Sequence, residues 1–268
     1  MLNVKPFRKL IHQLLLDIKR LRKLLIYNVK KSADFSPSEE ELIIEIEYGG
    51  LGDHLFYSHL PRIAKETGRY KKVFLSDLSV IRNPQHIQLI WLLNPYLDGM
   101  INKPGKLFRH LDKKRVCDGK NILDNIMLAY GLDDGQRCHQ PEVYYKPKKI
   151  SKHIDQIFFD PNWVTKLYDK ATVEKSVSDY FIANNIKIDF IFKPRNRFNL
   201  RNSKHVIIED KSFEEFCDIL YSCKNLYCFA TGTAVLYEAL GRSATVFCNS
   251  KMDPIFKFSN KHKYIDVQ

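Results

Sequence analysis

The stretch LYCFATGTAVLYEALGRSATVFC, residues 226–248, contains the local signals that decide the fold of this chain. An apolar run ends at Ala230, small residues occupy 231–233, and a helical segment then leads to a second apolar run at 244–248. Short apolar runs on either side of a helical segment predict a strand, a turn, a helix and a second strand. Such a unit predicts parallel strands joined by a crossover helix.

The same alternation occurs in two blocks, separated by a loop-like stretch rich in Pro and Lys at 138–153. We therefore predict an α/β fold of two Rossmann-like domains, residues 42–140 and 150–268, that face a cleft. The predicted strands are 42–48, 71–76, 98–102, 156–161, 188–192, 205–209, 226–230 and 244–248, and the predicted helices are 53–67, 84–93, 121–132, 172–185, 212–224 and 233–241.

The net charge of +12 comes mostly from the first residues of the chain. Residues 1–31 contain nine Lys and Arg against Asp17 alone, and an apolar seam with spacings of three and four runs from Phe7 to Leu25. This pattern predicts a basic amphipathic helix at 1–31 and a polar linker at 32–41. The helix fits an anionic membrane surface, a helix-pairing seam, or docking on its own domain. The remaining chain is mildly basic, which argues against a nucleic-acid partner.

Length, apolar content and cysteine usage predict a folded protein in the reducing environment of the cytoplasm. The chain has 268 residues, of which 44% are hydrophobic, and this is enough to form extended cores. No apolar run approaches the roughly 20 residues that span a bilayer, and the N-terminus lacks a signal-peptide pattern. The six cysteines show no metal-site spacing and predict reduced, mostly buried thiols.

A glycine-rich turn, GGLGD at 49–53, directly follows the first predicted strand. Gly50 and Gly52 would let backbone N–H groups and a helix N-terminus approach an anion or a sugar, although a tight turn without a ligand has the same composition. Asp53 opens the next helix and is either a helix cap or a general base that takes a proton from an acceptor hydroxyl. His54 is the reserve candidate for this base.

The turn Thr231, Gly232, Thr233 is the stronger signal. It offers N–H and O–H donors at a helix N-terminus, which suits a diphosphate. Glu238 lies one and a half turns further along the helix and can accept hydrogen bonds from two ribose hydroxyls, or it can be an ordinary surface residue.

Residues 228–247, CFATGTAVLYEALGRSATVF, resemble the nucleotide-binding motif of many GT-B glycosyltransferases. In that motif a small-residue turn holds phosphate and a Glu-Ala pair supplies the ribose-binding glutamate, which is Glu238 here. Upstream, FKPRNR at 192–197 resembles the Lys-Pro-His-Pro-Arg segment of transferases that build bacterial capsules, with Arg195 in the place of His. The resemblance implies that Lys193 and Arg195 contact donor phosphate, whereas the composition alone also fits a solvated basic loop.

The stretch YGGLGDHLFYSHLPRIAKETG, residues 48–68, resembles the opening of family 9 glycosyltransferases, the heptosyltransferase group of lipopolysaccharide core assembly. In that family the Asp of the Gly-Asp pair is the proposed base, which implies the same role for Asp53. The stretch is also similar to the GGLGNQ opening of bacterial fucosyltransferases. NILDNIMLAYGL at 121–132, followed by QPEVYY at 140–145, is similar to the end of the first domain in family 9.

These resemblances imply a GT-B glycosyltransferase that moves a sugar from a nucleotide-sugar donor to a lipopolysaccharide, capsule or other surface-glycan acceptor. Such sites use fixed cations and helix ends, so we expect neither a metal nor a cofactor. We expect a cytoplasmic protein, peripheral to the inner face of the cytoplasmic membrane through residues 1–31. Two alternatives stay open: a non-catalytic sugar-nucleotide-binding partner and a nucleotide-sugar epimerase of the same fold.

Overall fold

Two parallel sheets organise the chain. The computed structural model describes residues 40–111, 121–163, 169–195, 198–201, 204–249, 251 and 254–267. The predicted amphipathic helix at 1–31 and the linker up to residue 39 lie outside the described residues. Within the described residues no helix is both long and apolar enough to cross a membrane.

The first sheet has four parallel strands in the order β3-β2-β1-β4. Helical segments connect the first three strands along the chain, as the alternating pattern predicts, whereas residues 102–105 join the third strand to the fourth without a helix. The strands are β1 (Glu41–Glu45), β2 (Lys72–Ser76), β3 (Gly99–Ile101) and β4 (Lys106–Leu107), and the helices are α1 (Leu51–Tyr57), α2 (Leu60–Glu66), a π-helical segment (Ile87–Leu92) and α3 (Ile122–Ala129).

The second sheet has six parallel strands in the order β10-β9-β8-β5-β6-β7. Its strands are β5 (Ile157–Asp160), β6 (Phe190–Phe192), β7 (Val206–Ile208), β8 (Asn225–Phe229), β9 (Thr245–Cys248) and β10 (Lys263–Asp266). Its helices are α4 (Lys170–Ala183), α5 (Phe213–Ser222) and α6 (Gly232–Ala239), with short 3₁₀ turns at Ser151–His153 and Pro254–Phe256.

Side-chain alternation along the strands gives the second sheet a core on each face. Phe158 packs into one apolar cluster, while the next residue, Phe159, packs into another with Phe181 and Phe247. Successive strand residues point to opposite faces, so a parallel sheet covered on both sides reads as an unbroken apolar run. The first cluster also contains Ile44 of β1, and one continuous core therefore joins the two sheets.

One predicted helix is divided in the structure, and two strands were not predicted. The helix predicted at 53–67 is two helices, because Pro61 enters at the start of α2 and a proline inside one continuous helix would clash with the preceding turn. The strand β4 was missed because two residues carry no periodic signal. The strand β10 was missed because KYID lacks an apolar run, and 244–248 is therefore not the last strand.

A buried ionic cluster stabilises the region after α3. His139 Nδ1 lies 2.7 Å from Asp124 Oδ1, and His139 Nε2 lies 3.1 Å from Asp134 Oδ2. Burial opposes the charged ring, but the hydrogen bonds to the two carboxylates outweigh it and raise the pKa of His139. The cluster thus ties the loop at 133–139 to the helix.

The described cysteines are free thiols. Cys217, Cys223, Cys228 and Cys248 are buried, as the apolar runs around them predict, whereas Cys138 is exposed. Cys117 lies outside the described residues.

Candidate functional site

The strand orders place a topological switch point in each sheet. β2 and β3 lie on one side of β1 and β4 lies on the other, while β6 and β7 lie on one side of β5 and β8 to β10 lie on the other. Open α/β sheets bind ligands beyond the carboxyl ends of their strands at such points. The glycine turn at 49–53 follows β1, and the turn at 231–233 follows β8, which pairs with β5. Both predicted turns therefore occupy switch points.

The two turns contact each other through glycines. A Cβ on Gly52 would lie 3.3 Å from Gly232 Cα, and a Cβ on Gly232 would lie 2.7 Å from Gly52 N and 2.8 Å from Leu51 Cβ. The first turns of α1 and α6 approach at a distance that leaves no room for a side chain at Gly232. The structure thus brings Gly50, Gly52 and Asp53 to the same place as the small-residue turn of the second sheet.

Asp53 is held by hydrogen bonds at both carboxylate oxygens. Its Oδ2 accepts from Gly50 N at 2.8 Å, and its Oδ1 lies 3.1 Å from Nε2 of His110. The Asp53 side chain is 20% exposed, whereas the His110 side chain is fully buried. An oriented carboxylate that solvent still reaches has the position that a general base needs.

His110 is a site residue that the sequence reasoning missed. It follows β4, whose register with β1 sets Lys106 opposite Ile44 and carries the following residues to the Asp53 turn. A strand of two residues leaves no periodic signal in the sequence, so only the fold shows that His110 lies beside Asp53.

His54, the reserve base, lies inside the core. Its Nε2 donates to Val80 O at 3.1 Å and its Nδ1 accepts from Trp91 Nε1 at 3.0 Å, so both ring nitrogens are engaged. Burial lowers the pKa of His54. Of the two candidate residues, Asp53 therefore has a group that solvent reaches, whereas both ring nitrogens of His54 are engaged in the core.

The turn at 231–233 is anchored to a second buried carboxylate. Thr233 Oγ1 donates to Asp160 Oδ2 at 2.6 Å, and the backbone N and side-chain Nδ2 of Asn162 donate to Asp160 Oδ1 at 3.0 and 2.8 Å. Burial raises the pKa of Asp160, against the effect of these bonds. Asp160 was not predicted as a site residue, although its place at the end of an apolar strand was a usable signal. The Thr233 hydroxyl acts here as an anchor.

Arg195 and Lys193 have different surroundings. Arg195 N donates to Asn162 Oδ1 at 2.7 Å, which connects the loop after β6 to the Asp160 network, and the Arg195 charge favours the ionised form of Asp160. Lys193 Nζ instead donates to both carboxylate oxygens of Glu209, at 2.8 and 2.9 Å. Arg195 is therefore the cation that the structure links to the turn at 231–233.

Glu238 lies on α6 and is 3% exposed. Burial raises its pKa, while a hydrogen bond from Ser259 partly offsets that effect. Its Oε2 makes no hydrogen bond to any described residue, because His262 Nε2, 3.5 Å away, donates to Ala234 O. Buried polar atoms normally have partners, so this oxygen is free to accept from a ligand hydroxyl. The buried Thr231 Oγ1 is likewise unpartnered within the part of the chain that the structure describes.

No family model and no curated protein matches this sequence. Solved structures do match it. The iron-containing dodecameric glycosyltransferase TibC from enterotoxigenic E. coli aligns with a TM-score of 0.59 at 10% identity, over 85% of this chain and 62% of TibC. A family 9 glycosyltransferase from Veillonella parvula aligns with a TM-score of 0.56 at 12% identity, over 85% of each chain. The ADP-heptose lipopolysaccharide heptosyltransferase II of E. coli aligns with a TM-score of 0.53 at 12% identity, over 85% of this chain and 90% of that one.

The chain spans less than two thirds of the length of TibC. A second structure of TibC, with a TM-score of 0.59 at 9% identity, contains ADP-D-β-D-heptose. Among the described residues of our chain, no group of three or more His, Cys, Asp or Glu is arranged to hold a metal ion.

The alignments with TibC, the Veillonella parvula protein and heptosyltransferase II show that the chain has the GT-B fold of these glycosyltransferases. Its resemblance to family 9 is thus confirmed at the level of the fold.

Proposed function

We propose that this chain is a metal-independent glycosyltransferase that moves a sugar from a nucleotide-sugar donor to a lipopolysaccharide, capsule or other surface-glycan acceptor. The contact between Gly52 and Gly232 carries the proposal, because it joins the two switch points into one site. It puts the carboxylate of Asp53 beside a turn suited to phosphate.

The donor binds to the second half, residues 150–268, in this proposal. Backbone N–H groups of the turn at 231–233 and the Arg195 guanidinium stabilise the charge that develops on the departing nucleoside diphosphate. Lys193 would join them once released from Glu209. The unpartnered Oε2 of Glu238 accepts from a ribose hydroxyl. The complex of TibC with ADP-D-β-D-heptose makes ADP-sugars the first donors to test.

The acceptor binds to the first half, residues 42–140. An acceptor hydroxyl oxygen attacks the anomeric carbon, the bond from that carbon to the diphosphate oxygen breaks, and its electron pair leaves with the nucleoside diphosphate. The hydroxyl proton passes to Asp53, which is oriented by Gly50 and His110.

A thermal-shift screen against UDP-, GDP-, ADP-, CMP- and dTDP-sugars tests the donor class. A sugar nucleotide at one hundred times its dissociation constant stabilises a protein by about 2.7 kcal/mol. For a chain of this size, that raises Tm by roughly 5–10 °C. A flat response to all five classes would contradict the proposal.

The matched variants Asp53→Asn and Asp155→Asn test the base. Asp155 is exposed and precedes β5, so it lies at the opposite end of the second sheet from the site. Asp53→Asn should lower transfer at least a hundredfold with little loss of nucleotide affinity, given the ~10²–10⁴-fold contribution of proton-transfer groups. Asp155→Asn should transfer at the wild-type rate. Full activity of Asp53→Asn would return Asp53 to a capping role.

Product analysis separates this proposal from its alternatives. A glycosylated acceptor supports transfer, an epimerised donor indicates a nucleotide-sugar epimerase, and tight binding without turnover indicates a non-catalytic binding partner.

The membrane role of residues 1–31 rests on the sequence alone. Anionic lipid attracts each surface Lys or Arg by about 1 kcal/mol, so this segment would hold the enzyme at the inner face of the cytoplasmic membrane, near a lipid-linked acceptor. Deleting it should release the protein from anionic vesicles and leave donor hydrolysis intact. Persistent vesicle binding would contradict the role.

A further inference from the structure

Asp53 has a buried partner that the proposed reaction leaves unexplained. His110 Nε2 lies 3.1 Å from Asp53 Oδ1, and His110 Nδ1 lies 3.1 Å from the hydroxyl of Tyr57. That hydroxyl in turn donates to Phe108 O at 2.5 Å. The rings of Tyr48, Phe56 and Tyr57 surround the imidazole edge-on at 5.2 to 5.9 Å. A histidine with two directed polar contacts in an apolar cage has a fixed ring orientation.

The hydrogen-bond partners fix which ring nitrogen faces which group. Nδ1 faces the hydroxyl of Tyr57, which donates to Phe108 O. Nε2 faces the Asp53 carboxylate, which can only accept hydrogen bonds. A proton on Nε2 therefore makes this contact a charge-assisted hydrogen bond, whereas an Nε2 lone pair would repel Oδ1.

We infer that His110 is a positioning residue for Asp53, holding Oδ1 with an Nε2–H donor so that Oδ2 receives the proton of the acceptor hydroxyl. The inference rests on the proposed function. Gly50 N already fixes Oδ2 from the other side, and a carboxylate oxygen can accept a second hydrogen bond. The Tyr57 hydroxyl contacts the ring at Nδ1, so that Nε2 faces Asp53.

The test compares wild type, His110→Asn and a matched control, His153→Asn. His153 is 1% exposed and packs between Phe158 and Phe190, so its loss also perturbs a core. His110→Asn should lower kcat between tenfold and a hundredfold and change the donor KM less than about twofold. His153→Asn should keep the wild-type kcat per folded molecule. A wild-type kcat in His110→Asn, or a loss that falls on the donor KM instead of on kcat, would overturn the inference.

A second measurement needs neither turnover nor a stable His110 variant. Histidine side-chain ¹⁵N spectra of the full chain should show a proton on Nε2 of His110, with a resonance that shifts in Asp53→Asn. A wild-type ring without a proton on Nε2 would refute the assignment. If the wild type binds donors and transfers nothing, the proposed function fails, while this spectrum still decides whether His110 holds Asp53.

Discussion

Substituting alanine for Gly232 tests the contact on which the site depends. The new Cβ would lie 2.7 Å from Gly52 N and 2.8 Å from Leu51 Cβ, and both neighbours belong to the first turn of α1 rather than to a flexible side-chain end. Ordinary heavy-atom contacts are about 3.5 Å or longer. We therefore expect α1 and α6 to separate by roughly 0.8 Å in Gly232→Ala.

The loss of folding stability in Gly232→Ala follows from two opposed effects. Overpacking a close contact costs about 1–3 kcal/mol, and exchanging Gly for Ala in a helix returns up to about 1 kcal/mol. At the middle of these two ranges the net loss is about 1.5 kcal/mol, which should lower Tm by roughly 3–6 °C in a chain of this size. Because a displacement near 1 Å between reacting groups can reduce a rate by about 10²-fold, transfer should fall at least tenfold.

Gly52→Ala is the graded comparison. Its Cβ would meet Gly232 Cα at 3.3 Å, which a shift of a few tenths of an ångström relieves. We expect it to change stability by less than about 1 kcal/mol and to retain most activity. Differential scanning calorimetry measures the Tm of both variants, and a transfer assay measures their activity. Equal Tm and equal activity for Gly232→Ala and wild type would show that the two turns do not touch.

Three further substitutions probe the surrounding groups. Thr233→Val leaves Asp160 Oδ2 without its 2.6 Å donor and should lower the free energy of unfolding in urea by about 1–3 kcal/mol. Thr231→Val removes a hydroxyl that has no partner among the described residues and should lower it by less than about 0.5 kcal/mol. Equal losses in the two variants would refute the anchoring role of Thr233. Glu238→Gln should weaken nucleotide binding roughly tenfold to a hundredfold by calorimetric titration, and unchanged affinity would exclude ribose contact. The pKa of His139 is raised in the folded state, so the stability that His139 contributes is complete below its unfolded pKa of about 6.5 and is lost as pH rises through its folded pKa. His139→Gln should therefore lower the free energy of unfolding more near pH 5.5 than near pH 9. A loss that does not depend on pH would contradict the role of the ionic cluster.

Much of the fold was predictable from local patterns. The apolar runs that became β1, β5 and β8 each bury most of their side chains, and that requirement is written in consecutive residues. The glycine turn at 49–53 and the turn at 231–233 were predictable too, because small residues at a strand end are a local property. The weakest predictions were the short edge strands, β4 and β10, whose pairing depends on the neighbouring strand rather than on their own composition.

The sequence by itself determined two blocks of alternating strands and helices, the glycine turns that end β1 and β8, and the identity of Asp53 and Glu238 as candidate site residues. Only the tertiary structure decided that Gly52 touches Gly232, that His110, 57 positions away, holds Asp53, and that Asp160, 73 positions away, anchors Thr233. The physical reason is that strand and helix periods arise from neighbours along the chain, whereas these contacts arise from strand order, register and the packing of α1 on α6.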